Sequence, residues 1–322
     1  MRKYLKTTGI IILLIIAIFV ALVGFKQNKK FNAPNFEIHA VKDSSTIHRC
    51  RYLVTSLGHC GDCHSSLSDS DLINQSETVP MSGGKIFSIP LGSIQSPNIT
   101  PDKETGIGDF SDKQIAVALR YGIGHDNRAL IPFMNYQSLA DNDMTAVVSY
   151  LRSLTPVKRK IQNRKFSPIG YIANAFSIKP VGPAFTPEKN MTPDTSSKYG
   201  KYLAISVAGC RDCHTNRNLV SGLFTGPQNA GGLHMPSAID PKHYVTISPN
   251  LTPDSATGIM ATWDKKTFIN RFKQGKKNPH SRMPWNSYKN INENDLTAIY
   301  NYFNGLQPIG NYIPTTLAKI KG

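Results

Sequence analysis

One stretch of sequence occurs twice in this chain, and the duplication constrains the fold more than any other feature. Arg51-Tyr52-Leu53-Val54 through Cys60-Gly-Asp-Cys63-His64 recurs as Lys201-Tyr202-Leu203-Ala204 through Cys210-Arg-Asp-Cys213-His214. Ser96-Pro97-Asn98-Ile99-Thr100-Pro101-Asp102 recurs as Ser248-Pro249-Asn250-Leu251-Thr252-Pro253-Asp254, and Thr105-Gly106-Ile107 as Thr257-Gly258-Ile259. Tyr136 then matches Tyr288, and Asp143 matches Asp295. The order is constant, with an offset of 150 residues at the cysteine motifs and 152 beyond them, so one unit has been duplicated. The copies run from about Thr46 to Leu154 and from about Ser196 to Leu306. At 322 residues the chain is too long for one compact core and suits two domains. The expected division is 1–30 for an N-terminal apolar segment, 31–157 for the first domain, 158–195 for a linker and 196–322 for the second domain. The linker is rich in Pro and opens on Lys158, Arg159, Lys160, Arg164 and Lys165, as a segment running over the surface would.

Each copy has the same coarse elements. A helix leads into the cysteine motif, and a long loop punctuated by Gly and Pro follows it. Ser111–Tyr121 and Asp264–Gln274 read as helices, the first opening on a Ser-x-x-Gln capping box from Ser111 to Gln114. A last helix covers Asp141–Leu154 and Asn292–Leu306, with Asp143, Glu293 and Asp295 in the first turns, where the helix dipole favours them. Apolar residues recur at helical spacing at Met144, Val147, Val148 and Leu151, and at Leu296, Ile299, Tyr300 and Phe303. No strand pattern competes, so the expected fold class is all-α.

Gly9 to Phe25 is an uninterrupted apolar run preceded by Arg2, Lys3 and Lys6, the layout of an export signal. Its length lies at the lower edge of the roughly 17–25 residues that span a bilayer core. It ends in Ala21-Leu22-Val23-Gly24-Phe25-Lys26, a poor cleavage site, so an uncleaved transmembrane anchor is expected. The positive-inside rule then places Met1 in the cytoplasm and both copies on the periplasmic side.

Four of the five cysteines fall in the two Cys-x-x-Cys-His strings, the attachment signature of c-type haem. Two thiols must reach the two vinyl groups of one porphyrin while the adjacent imidazole coordinates the iron, and positions i, i+3 and i+4 share one face of a helical turn. Cys60, Cys63 and His64 are therefore expected to hold one haem, and Cys210, Cys213 and His214 another. A zinc site would not need His after each second Cys, and a thioredoxin-like pair needs strands.

A methionine opposite His closes a haem iron and raises its potential. Met283, in Met283-Pro284-Trp285 before the last helix, is the expected sixth ligand of the second haem. Aligning Tyr136 with Tyr288 puts Ile131 at the Met283 position, and Ile cannot bind iron. Met134, three residues later in the same loop, is the favoured ligand of the first haem; Met81, Met144, His125 and an open iron are the alternatives. Cys50 aligns with Gly200 and reads as a small buried residue where the last helix crosses closely, against a haem thiolate or an intermolecular disulfide. The loop around Asn98 and Asn250 reads as rigid, placed against the haem propionates with the two Asn as hydrogen-bond donors.

The order Cys-x-x-Cys-His, Asn-Ile/Leu-Thr-Pro-Asp-x-x-Thr-Gly-Ile, Met-Pro-aromatic and an Asp-bearing helix start closely resembles the cytochrome c subunit of membrane-bound alcohol and gluconate dehydrogenases. The resemblance spans both copies. It implies mainly helical class I cytochrome c domains that take electrons from a periplasmic dehydrogenase subunit and pass them to quinone or a terminal acceptor. Those subunits usually carry three haems, whereas this chain has two motifs. The expected function is electron transfer in a respiratory chain, from a redox donor to a redox acceptor, without catalysis by the chain alone. The rival is a two-haem enzyme, a peroxidase or thiosulfate-oxidising cytochrome, kept open by Ile131 and Cys50.

Net charge is +16, and the six cations flanking the apolar run leave roughly +10 for the rest, which favours acidic proteins or anionic lipid. The stretch from Lys265 to Lys289 is the candidate docking face. No nucleic-acid-binding signature accompanies the basic residues, so no nucleic acid partner is expected.

Overall fold

The computed structural model describes residues 2–65, 80–218 and 223–320. Met1 and part of the loop after the first cysteine motif lie outside the described residues. The protein is mainly helical, with two small sheets and one N-terminal apolar helix.

Helix α1 (Arg2–Phe25) is long and apolar enough to cross a membrane, and none of its apolar stretch is buried against the rest of the chain. The first copy contributes α2 (Ser44–Tyr52), a π-helical turn at Leu53–Leu57, α3 (Cys60–His64), the hairpin β1 (Ile86–Ile89) and β2 (Gly92–Gln95), α4 (Asp112–Tyr121) and α5 (Asp141–Ser153). After β3 (Lys165–Phe166) and α6 (Pro168–Phe176) the second copy repeats the series. Its elements are α7 (Ser197–Tyr202), a π-helical turn at Leu203–Val207, α8 (Cys210–Cys213), β4 (His234–Pro236), β5 (Tyr244–Ile247), α9 (Lys265–Lys273), α10 (Trp285–Tyr288), α11 (Glu293–Asn304) and β6 (Leu317–Lys319).

The helix signals of the sequence hold. Ser111 accepts from the Gln114 amide while the Gln114 side chain accepts from the Ser111 amide, closing the capping box of α4. Asp264 caps α9 and Asn292 caps α11. The core joins both copies. It is built from the first helices and the last helices, including Leu53, Val54, Met144, Val148, Leu203, Leu296 and Ile299. Cys50 is fully buried in it, and burial lifts its thiol to about 12. At the equivalent Gly200, a Cβ atom would lie 1.8 Å from the Ala298 carbonyl oxygen, so α7 and α11 cross backbone to backbone.

The two three-stranded antiparallel sheets were not anticipated from the sequence. Their orders are β1-β2-β3 and β4-β5-β6, with Ile86 opposite Gln95, Gly92 opposite Phe166, His234 opposite Ile247 and Tyr244 opposite Lys319. The sheets are themselves duplicated. The outer strand of the first, β3, comes from the 158–195 segment, so that segment begins as part of the first unit's sheet rather than as a bare connector.

Candidate haem sites

Each cysteine motif is delivered by the same local device. The helix leading to it widens into a π turn, closed by the Gly58 amide donating to the Leu53 carbonyl at 2.6 Å and the Ala208 amide donating to Leu203 at 2.8 Å. Single-turn π segments of this kind often mark functional sites. The next residue, His59 or Gly209, is left-handed (φ 38° and 64°), which turns the chain into the short helix of the motif. In the second copy a Cβ at Gly209 would meet the Asn135 side-chain amide at 1.7 Å, so a larger residue would displace Asn135.

The duplicated loop holds the histidines. His64 Nδ1 lies 2.9 Å from the Pro97 carbonyl oxygen, and His214 Nδ1 lies 3.0 Å from that of Pro249. A carbonyl can only accept, so Nδ1 carries the proton and the Nε2 lone pair is left for a metal. Burial pushes both imidazoles below their usual range, against the opposing pull of the proline carbonyls, and so favours the neutral ring. Cys60 and Cys210 are raised to about 12 by burial and by the second thiol of the motif.

Asn98 and Asn250, expected as hydrogen-bond donors to haem propionates, both donate to protein partners. Both are buried, at 2 % and 1 % exposure, and fully engaged within the loop. Asn98 donates to Val157 O at 2.7 Å and Thr105 Oγ1 at 3.2 Å, and accepts from the amide and hydroxyl of Thr100. Asn250 repeats this with Ile309, Thr257 and Thr252. The loop's contribution to the site is the proline carbonyl, and the asparagines make the loop rigid enough to aim it. The repetition marked the loop, but a main-chain atom leaves no side-chain signal to read.

The segments carrying the candidate methionines align as the sequence suggested. The Trp285 amide donates to the Met283 carbonyl at 2.8 Å, and the Phe133 amide to the Ile131 carbonyl at 2.7 Å, so Ile131 stands at the Met283 position. Tyr288 OH donates to the Ala208 carbonyl at 2.7 Å and Tyr136 OH to that of Gly58, tying each segment to the π turn beside its cysteine motif. The second segment is braced. Trp285 is buried, the Arg271 guanidinium lies 3.6 Å from its ring centre, and Arg282 donates to the Pro236 and Ser237 carbonyls. Together with Lys273, which donates to the Ile291 carbonyl, these cations of the Lys265–Lys289 stretch have structural partners. In the first segment Phe133 is half exposed and stacks on Phe87 at 5.3 Å. Met134 is partly buried three residues beyond Ile131, its carbonyl accepting from Gln137. Of the alternatives, Met81 and Met144 are buried in the core, and His125 is exposed and stacks on Phe110.

No family model matches the chain. Its relatives do speak. It is 27 % identical over 282 residues to the gluconate 2-dehydrogenase cytochrome c subunit of Pantoea cypripedii, covering 82 % of this chain and 60 % of that protein. It is 29 % identical over 293 residues to the alcohol dehydrogenase (quinone) cytochrome c subunit of Gluconacetobacter polyoxogenes, covering 84 % and 58 %. A diheme cytochrome c-type protein of Cereibacter sphaeroides is 28 % identical over 215 residues, covering 64 % of this chain and 68 % of its own. The chain is a relative of dehydrogenase cytochrome c subunits. It spans about 60 % of the length of the gluconate and alcohol dehydrogenase subunits.

For such a cytochrome relative the donor set fits haem c. Each copy offers two thiols and one neutral imidazole on a single turn, with the second imidazole nitrogen held from behind.

The two motifs also face one another through paired contacts. Tyr52 of the first copy donates to Asp295 at 2.7 Å, and Tyr202 of the second donates to Asp143 at 2.6 Å. The same hydroxyls accept from the amides of Asn292 and Ala140, at the starts of α11 and α5. Asp62, inside the first motif, accepts from Ser287 at 3.1 Å, and Asp212, inside the second, pairs with Asn135. Every one of these contacts has its counterpart at the duplicated position, so the copies meet about a pseudo-twofold axis. Arg49 sits near that axis, 3.4 Å from Asp143, 4.0 Å from Asp295 and 2.9 Å from Tyr199 OH. Burial opposes its charge, but Asp143 and Tyr199 outweigh it and hold the guanidinium protonated. Asp143 and Asp295 were read as helix-dipole residues; their burial and their pairing across the copies had no sequence signal beyond the repetition itself.

Proposed function

We propose that this protein is a membrane-anchored two-haem cytochrome c that relays electrons from a dehydrogenase or other respiratory donor to a respiratory acceptor. Cys60, Cys63 and His64 hold one covalent haem, and Cys210, Cys213 and His214 the other. The observation that carries the reading is the duplicated motif whose histidine is pinned at Nδ1 by a proline carbonyl. That geometry fixes the ring and raises the basicity of Nε2 toward an iron. When bound, haem supplies a one-electron couple at each site. The protein's part is to hold each imidazole in one tautomer and keep the two motifs in a fixed mutual position through the Tyr–Asp pairs.

Met283 is the sixth ligand of the second haem. Its segment is braced by Arg271, Trp285 and Arg282, as a ligand loop that must not reorganise between redox states requires. Met134 is the sixth ligand of the first haem, reached by the less braced loop around Phe133. The names of the relatives support a dehydrogenase partner, and α1 supports an anchor with the haem domains on the periplasmic face. The domains follow the duplication, with an anchor over 1–30, haem units in 31–157 and 196–322, and a connecting segment over 158–195 whose β3 completes the first sheet.

Optical and EPR spectra of the holoprotein, Met134→Ala and Met283→Ala test the reading. The expected result is two low-spin His/Met irons in the wild type, with one of them lost in each variant. Ile131 favours a second reading, in which the first iron is open and does chemistry as in a peroxidase or thiosulfate-oxidising cytochrome. A high-spin first haem unaffected by Met134→Ala would end the carrier assignment for the first unit, and peroxide and thiosulfate assays would then test the second reading.

A further inference from the structure

Helix α6 carries no charge, reading Pro-Ile-Gly-Tyr-Ile-Ala-Asn-Ala-Phe, yet it does not bury its apolar stripe in the protein. Ser167 caps it, and the same hydroxyl donates to the Pro90 carbonyl at 2.8 Å. Gly170 lies so close to the β1–β2 turn that a Cβ would sit 1.9 Å from the Leu91 carbonyl oxygen. Gly170 and Ala175 therefore face the protein. The large residues face away: Ile169, Ile172 and Phe176, at i, i+3 and i+7, are 63 %, 40 % and 39 % exposed. This is an amphipathic helix turned inside out, with its small residues inward and its apolar stripe outward.

The stripe is continuous with the apolar helix α1. Phe176 stacks on Phe19 with ring centres 6.3 Å apart. Gln27 donates to the Tyr171 carbonyl at 2.9 Å, and Asn174 donates to the Gln27 side chain at 2.8 Å. Phe19 lies six residues before the end of α1, about 9 Å along the axis at 1.5 Å per residue. Helices lying in a lipid interface sink by about 5–10 Å. Lys26 lies at the contact where head groups would be, and further cations flank α6 in sequence. Lys26 lies over the Phe176 ring at 4.7 Å and Arg164 over Phe166 at 5.5 Å, with Lys165 and Lys179 at either side in sequence. Tyr171, 47 % exposed, is a residue type enriched at that level.

We propose that α6 is a second membrane-contacting element, lying in the lipid interface beside α1 with Ile169, Ile172 and Phe176 among the acyl chains. The proposal rests on the reading of α1 as a membrane span. Because α6 is bonded to the β1–β2 hairpin, it turns the first copy toward the bilayer and sets the orientation that a single flexible tether would leave free.

The test uses the full-length holoprotein in phosphatidylcholine/phosphatidylglycerol vesicles. A nitroxide label is placed by Ile172→Cys, with Ile15→Cys in α1 and the exposed Ile239→Cys as references, and Ile169→Cys as an independent second site. Unchanged haem absorption shows that each variant has folded. Collision rates with dissolved oxygen and with a water-soluble nickel chelate report lipid and water contact. The expected result is that labels at 172 and 169 collide with nickel several-fold less than at 239 while remaining open to oxygen, at a depth shallower than 15. Nickel collision at 172 and 169 equal to that at 239, with 15 still shielded, overturns the proposal and leaves the anchor standing. Shielding of 172 and 169 from both reagents also overturns it, since protein rather than lipid would then cover α6. Nickel access at 15 overturns the anchor itself, and the proposal with it.

Discussion

Asn98 and Asn250 are buried with all their hydrogen-bonding groups engaged, and what they hold is the loop carrying the proline carbonyl behind each histidine. Removing either leaves the buried Thr100 or Thr252 amide unpaired, at a cost of about 1–3 kcal/mol, and takes one of two donors from the Val157 or Ile309 carbonyl. Asn98→Ala is expected to destabilise the protein by that order in urea unfolding and to shift the potential of the first haem alone. Asn250→Ala is expected to do the same to the second. Asp295 is the other residue with a measurable signature. Burial outweighs its bonds to Tyr52 and Arg49 and lifts its carboxyl above the ordinary value of 3.8. The folded state therefore keeps this proton to higher pH than the unfolded state does. Its contribution is fully present below the unfolded value and is lost as pH rises through the folded one. Unfolding free energies measured across that window are expected to fall with rising pH, and Asp295→Asn, which cannot ionise, to flatten the slope.

At the scale of elements, the decisive packing is between the first and last helix of each copy. The same crossing is made with Cys50 in one copy and Gly200 in the other, and at Gly200 a Cβ would lie 1.8 Å from the Ala298 carbonyl oxygen. Gly200→Cys, which imports the first copy's residue into the second, is expected to lower stability by about 1–3 kcal/mol through overpacking. Cys50→Ala is expected to leave both haem spectra unchanged, as a buried residue with no bond to iron should. The helices were legible in the sequence because their signals are local: a capping box at Ser111 and Gln114 for α4, acidic first turns and apolar residues at helical spacing for the last helices. The sheets were not. Strands of two to four residues give no alternation to read, and the pairing of β3 with β2 and of β6 with β5 is a matter of main-chain hydrogen bonds between distant segments. For the same reason the duplication looked shorter in sequence than it is in structure, where it continues through Val157 and Ile309 to β3 and β6.

Across the whole molecule, the repetition of two motifs predicted two sites, and the structure adds how they are held together. The joint is not a linker but a pseudo-symmetric set of tyrosine–carboxylate pairs, with one arginine between the two aspartates. Such pairs are invisible to a reading of one copy at a time, because Tyr52 and Asp295 belong to different copies. Tyr52→Phe and Tyr202→Phe each take the tyrosine donor from one buried carboxylate, Asp143 keeping its bonds to Arg49, and each is expected to cost about 1–3 kcal/mol and slow electron exchange between the two haems. Stopped-flow reduction, with the two irons followed at separate wavelengths, would register that slowing; unchanged exchange would mean that the joint is only structural.

The central claim is that each copy carries its own covalent haem, and the mass of the denatured chain tests it most directly. Wild-type protein is expected to carry two haem groups after unfolding in acid, and the double variants Cys60→Ser/Cys63→Ser and Cys210→Ser/Cys213→Ser one each. A wild-type chain that releases its haem on unfolding, or retains a single group that either double variant removes, would contradict the account.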